Sequence, residues 1–142
     1  AKYIVNKRSI KKIKTNFELI DILRDSRVNF RSKKIHFATK VFQALRIEVN
    51  DELEVIKTLL SDSSQYIKKG GRLVCISYHS LEDRIVKKFI QNGGYNDEVP
   101  TDFYGKKNFI FKKIGKMITP SIEEIKLNNR SRSAKLRIAE KI

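Results

Sequence analysis

Tryptophan is absent from this sequence; Cys75 and Met117 are the only residues of their kinds, and Pro100 and Pro120 are the only prolines. A single cysteine excludes a disulfide framework and fits a reducing, cytoplasmic setting. The two histidines, His36 and His79, are too few and too far apart for a metal-site spacing, so no metal is expected. No run approaches the roughly eighteen consecutive apolar residues of a membrane span. The opening stretch, Ala1 to Lys14, has no apolar core of the kind a secretion signal needs, so no membrane partner is expected. Because the chain starts at Ala1 and its one methionine is Met117, translation is expected to start upstream, within a longer polypeptide. Acidic residues are also scarce, 16 against 31 Lys and Arg.

The resulting net charge of +15 calls for a polyanionic partner: nucleic acid, ribosome or an anionic membrane surface. At 142 residues and 40% apolar content, the chain can bury a core and is neither a repeat array nor a disordered tail.

Residues 2–8 read as the end of a helix. Thr15-Asn16-Phe17-Glu18 is a capping box opening a second helix, with Phe17, Leu19, Ile20 and Leu23 on one face. The basic, weakly patterned stretch 25–35 reads as a linker, with a domain boundary near residue 35. From Ala38 to about Lys69 the apolar positions Val41, Phe42, Leu45, Val49, Leu53, Ile56, Leu59 and Leu60 recur at helical spacing, with a break near Asn50. Gly70-Gly71 ends that helix.

The run Leu73-Val74-Cys75-Ile76 is continuous rather than alternating, which predicts a strand buried on both faces, as in a parallel sheet. Ser80-Leu81-Glu82-Asp83 then reads as a second cap, starting a helix to about Gln91 through Leu81, Ile85, Val86, Phe89 and Ile90. Gly93 to Gly105 is a polar loop, 107–118 a strand or hairpin, and Pro120-Ser121 opens a short helix through Leu127. Ala134, Leu136 and Ile138 alternate with Lys135 and Arg137 as a last strand. The fold class is α/β. A strand covered on both faces needs more neighbours than two C-terminal strands supply, so the sheet is expected to be part of a larger doubly wound domain.

Four ordered segments carry a family resemblance: His36-Phe37-Ala38-Thr39; Phe42 to Leu53, with Arg46, Asn50 and Asp51; Gly70 to Lys87, containing Ser77-Tyr78-His79-Ser80-Leu81-Glu82-Asp83-Arg84; and Arg130-Ser131-Arg132-Ser133-Ala134-Lys135-Leu136-Arg137. In order and spacing they closely resemble the bacterial 16S ribosomal RNA cytosine-N4 methyltransferase family. Phe37 and Asn129 depart from it, standing where the family pattern has proline. The resemblance implies an S-adenosyl-L-methionine-dependent enzyme of Rossmann-like class I fold, interrupted by an inserted helical domain. Residues 1–34 then correspond to the end of the insertion, and 35–142 to the C-terminal part of the methyltransferase domain. The cofactor-holding segments of the family match nothing here, so the cofactor site is expected mainly outside this chain, and the chain alone is expected to be inactive. The implied partner is 16S ribosomal RNA in the small ribosomal subunit.

A cytosine N4 amine is a poor nucleophile because its lone pair is delocalised into the ring, so an enzyme must orient it and accept its hydrogens. Ser77-Tyr78-His79-Ser80 ends a strand, at the edge where open α/β sheets hold ligands. His79, Ser80, Glu82 and Asp83 are therefore candidates for shaping the substrate pocket; the competing structural reading has Ser80 and Asp83 capping the helix and His79 holding a loop. A hydrolase triad is the poorer reading, since there is no G-x-S-x-G elbow and side chains adjacent in sequence rarely meet in triad geometry. Arg130 and Arg132 flank serines in a loop suited to phosphate contact. With Arg84, Lys87, Lys33 and Lys34 they are the candidate RNA-binding residues, and Lys11, Lys12, Lys14 and Arg31 could extend the track. Cys75, Phe109 and Phe111 read as core. The competing function is a non-catalytic basic RNA-binding module.

Overall fold

The computed structural model describes residues 1–26, 37–95, 103 and 109–142. It divides into two units, Ala1–Asn50 and Asp51–Ile142; the boundary expected near residue 35 lies outside the described residues.

In the first unit, α1 (Lys2–Ile10) is followed by α2 (Asn16–Asp25) and α3 (Thr39–Val49). The expected capping box opens α2: Thr15 Oγ1 accepts from Glu18 N–H at 3.2 Å, and Glu18 Oε2 accepts from Thr15 N–H at 3.1 Å. These bonds satisfy backbone donors that a helix start otherwise leaves without partners. Leu19, Leu23 and Ala38 form the core, with Ile4, Ile13, Ile20, Phe37, Val41 and Phe42 packed against them. Phe17 departs from expectation, being 79% exposed. It is the second helical residue, ahead of the turn that Leu19 and Leu23 bury.

In the second unit, Asp51 takes a left-handed backbone (φ 50°) at the expected break, and α4 (Glu52–Tyr66) follows. After it come β1 (Arg72–Ser77), α5 (Ser80–Asn92), β2 (Phe111–Ile118), α6 (Ile122–Leu127), a 3-10 turn (Asn129–Ser133) and β3 (Lys135–Lys141). Gly93, at φ 69°, closes α5 in the left-handed conformation glycine adopts without a Cβ clash. The sheet order is β1-β3-β2, with both outer strands antiparallel to β3 and so parallel to each other. Gly115, at φ 62°, lies within the register shift between Ile114 and Ile118, where its left-handed backbone accommodates the irregularity.

The sheet corrects the expected parallel neighbour of β1. Among the described residues its one partner is β3, antiparallel, and no strand pairs with its other edge. Nor is the strand buried on both faces: Leu73, Cys75 and Ser77 turn inward, whereas Val74 and Ile76 are 56% and 61% exposed. The physical reason is that the core lies on one side of the sheet. There Leu60 of α4 and Val86, Phe89 and Ile90 of α5 pack with Phe111 and Ala139. Phe89 sits 5.7 Å from Phe111 between ring centroids and stacks on Tyr95 at 5.5 Å. Phe111 is thus core as expected, whereas Phe109 is exposed. No helix among the described residues is long and apolar enough to cross a membrane.

Candidate nucleic-acid interface

Strand β1 ends at the buried Ser77, and the chain turns over Tyr78 and His79 into α5. This turn is held from inside the helix. Glu82 Oε2 accepts from the N–H groups of both Tyr78 and His79 at 3.1 Å, and His79 Nδ1 accepts from Leu81 N–H at 3.4 Å. His79, not Ser80, is therefore the N-cap residue, with Glu82 closing a capping box three positions on. The exposed Ser80 is the first helical residue.

The facing wall is the turn before β3. Asn128 Oδ1 accepts from Arg130 N–H at 3.1 Å, and Ser131 donates through its hydroxyl to Asn128 O at 2.8 Å. Ser131 is buried and anchors the turn, leaving Arg130 and Arg132 exposed on either side of it. Among the described residues neither guanidinium is ion-paired. Tyr78, Asn129, Arg130, Arg132 and Ser133 line an open cleft of about 310 Å³. That is at the lower end of the roughly 300–1,000 Å³ typical of ligand sites.

Helix α5 and strand β3 are tied together. Asp83, buried in the first turn of α5, accepts from Arg137 Nε at 2.7 Å and Nη2 at 3.1 Å, and from Lys135 Nζ at 3.3 Å. The Arg137 guanidinium holds its carboxyl below the ordinary aspartate value of 3.8, against the opposing effect of burial.

The sequence pattern of the MraW methylase family matches this chain from residue 1 to 142. The chain belongs to that family. Curated relatives named ribosomal RNA small subunit methyltransferase H include that of Cytophaga hutchinsonii, 51% identical over 99% of this chain and 47% of its own length. Those of Flavobacterium johnsoniae and Karelsulcia muelleri are 51% and 50% identical, over 100% and 99% of this chain and 46% of their own lengths. The chain spans about half the length of these relatives.

Within this MraW-family chain, Arg130 and Arg132 line one cleft. His79, Ser80, Glu82 and Asp83 do not line that cleft. His79 and Glu82 hold the Tyr78 turn, and Asp83 ties α5 to β3. Arg84 is exposed on α5. Lys87 lines a different, narrow cleft with Gln91, Lys113, Lys116, Met117 and Arg137, a basic surface in which Lys113 and Lys116 had not been singled out. Lys33, Lys34 and Arg31 lie outside the described residues. Lys12 and Lys14 are exposed, and Lys11 pairs with Glu18 at 3.5 Å. Tyr78, like Asn129 and Ser133, is a cleft residue that sequence reasoning did not put forward as a site residue. Its signal was its place immediately after a strand, where side chains reach the ligand edge of a sheet.

The described residues do not fit S-adenosyl-L-methionine. Such sites use a glycine-rich turn after a strand and a carboxylate for ribose hydroxyls. Here β1 leads into Tyr78-His79-Ser80, and the nearby carboxylates of Glu82 and Asp83 are already occupied by backbone donors and by Arg137. No group of three or more His, Cys, Asp or Glu among the described residues could hold a metal ion.

Proposed function

We propose that this chain forms the RNA-facing part of a cytoplasmic enzyme that methylates the N4 amine of a cytosine in 16S ribosomal RNA of the small subunit. The observation that carries the reading is the cleft at the end of β1, with Tyr78 on one wall and Arg130 and Arg132 on the other. The names of the family's curated relatives support the ribosomal RNA substrate. The finer fold assignment, a Rossmann-like class I domain, is supported by β1 and β2 running parallel to each other with α5 between them in the chain, the arrangement of a crossover unit in a doubly wound sheet. Residues 1–34 are read as the end of an inserted helical domain and 35–142 as the C-terminal part of the catalytic domain.

S-adenosyl-L-methionine would supply the electrophilic methyl group, and on this reading its site lies mainly outside this chain. What this chain contributes is binding and orientation. Two guanidinium groups neutralise phosphates and fix the backbone register of the RNA. The target base must leave its stack to be reached, which a cleft at a strand end accommodates. His79, Ser80, Glu82 and Asp83 shape the pocket indirectly, by holding the turn that carries Tyr78 and the helix behind it.

The test is methyl transfer from labelled S-adenosyl-L-methionine to small-subunit RNA by the whole polypeptide that carries this chain, followed by nuclease digestion and mass spectrometry. N4-methylcytidine is the expected product. Label on a ring carbon, on the ribose or on no nucleoside at all would overturn the reading.

A further inference from the structure

The cleft between β1 and the Asn129–Ser133 turn combines an exposed aromatic ring, two arginines and an amide, and its lining includes no carboxylate. Tyr78 is 59% exposed although it directly follows the buried Ser77. Exposing an aromatic ring forgoes the favourable free energy of removing it from water. Its backbone is nevertheless fixed, because its N–H donates to Glu82. The ring is therefore presented on a pinned turn rather than on a loose loop. Opposite it, the buried Ser131 fixes the turn that carries Arg130 and Arg132. An aromatic face flanked by guanidinium groups is the chemistry that holds a single-stranded nucleotide: the base stacks on the ring and its neighbouring phosphates meet the cations.

We infer that Tyr78 is a base-stacking residue for single-stranded RNA, and that Arg130 and Arg132 bind the phosphates flanking the stacked nucleotide. This rests on the RNA substrate proposed above and adds a division of labour within it. The ring contributes affinity that is independent of salt, and the two arginines contribute the salt-dependent part. Adenosine of the methyl donor has the same stacking chemistry, but two arginines favour a polyanion over a ligand that carries a sulfonium cation.

The experiment is a salt series of fluorescence-anisotropy titrations of a labelled oligocytidylate into the whole polypeptide that carries this chain, with S-adenosyl-L-methionine titrated calorimetrically in parallel. Tyr78→Ala is expected to weaken oligocytidylate binding about tenfold with an unchanged salt slope, and Tyr78→Phe to keep wild-type affinity within about twofold. Arg130→Ala and Arg132→Ala are each expected to reduce the slope of log K against log salt by about 0.7. Affinity for S-adenosyl-L-methionine is expected to stay unchanged in all four variants. The inference is overturned if Tyr78→Ala binds like wild type, if Tyr78→Phe is as weak as Tyr78→Ala, or if the loss falls on S-adenosyl-L-methionine instead. Tyr78→Phe keeps the ring and serves as the folded control. Absence of N4-methylcytidine in the transfer assay would sink the proposed reaction while leaving this binding result to stand or fall separately.

Discussion

Arg137 grips Asp83 with two hydrogen bonds, Nε to Oδ1 at 2.7 Å and Nη2 to Oδ2 at 3.1 Å, across 54 residues of sequence. Both side chains are largely buried, at 14% and 9% exposure. In such a pair, removing one partner costs more than the pair contributes, because it leaves a buried charge without compensation. Asp83→Asn is expected to lower stability by about 3 kcal/mol, and Arg137→Gln by less, because Lys135 Nζ still donates to Asp83 at 3.3 Å. The double variant should lose less than the sum, which a double-mutant cycle by urea unfolding measures. Additive losses would mean that the two groups do not interact in solution.

The same pair sets an acid limit. Asp83 has a folded-state value below the 3.8 of an unfolded aspartate, so its stabilisation is fully present above pH 3.8 and is lost as pH falls through the lower folded value. Urea midpoints of the wild type should therefore drop below pH 3.8 more steeply than those of Asp83→Asn. Parallel curves would assign the acid sensitivity to other groups.

His79 separates a capping role from a chemical one. Its ring nitrogen accepts from Leu81 N–H, and asparagine can accept similarly at an N-cap. His79→Ala is expected to cost about 1 kcal/mol in thermal or urea unfolding, with His79→Asn restoring most of it. If methyl transfer survives in His79→Asn, capping accounts for the residue. A folded but inactive His79→Asn would give the imidazole a role beyond capping.

Gly71 is required by space. A Cβ there would lie 2.7 Å from Ile67 Cγ2 and 2.8 Å from the backbone oxygen of Lys68, inside van der Waals contact. Gly71→Ala is expected to destabilise by about 1–3 kcal/mol, the usual range for overpacking. An unchanged melting temperature would show that the turn between α4 and β1 relaxes freely.

Short-range features were legible in the sequence and long-range ones were not. The Thr15–Glu18 box, the break at Asn50 and the helix after Ser121 depend on neighbours within four residues, and each stands as read. The cap of α5 shifted by one residue because serine is the stronger N-cap former, yet Glu82 lies three positions beyond His79 rather than beyond Ser80. The run Leu73 to Ile76 indicated a strand correctly, but periodicity cannot say whether its second face is covered. That depends on which other layers are present. Likewise, no local pattern pairs Asp83 with Arg137 or sets Tyr78 opposite Arg130. Those placements come from the order in which three strands assemble.

Val74, Ile76 and Ile118 are three aliphatic residues left accessible on strands, and β1 adds a row of amide and carbonyl groups with no strand beside them among the described residues. Made by itself, the 142-residue chain would carry an unguarded seam, able to recruit a second copy by β-augmentation. Its light scattering should rise steeply with concentration, and a Val74→Lys, Ile76→Glu pair should suppress that rise without unfolding the core on the opposite side.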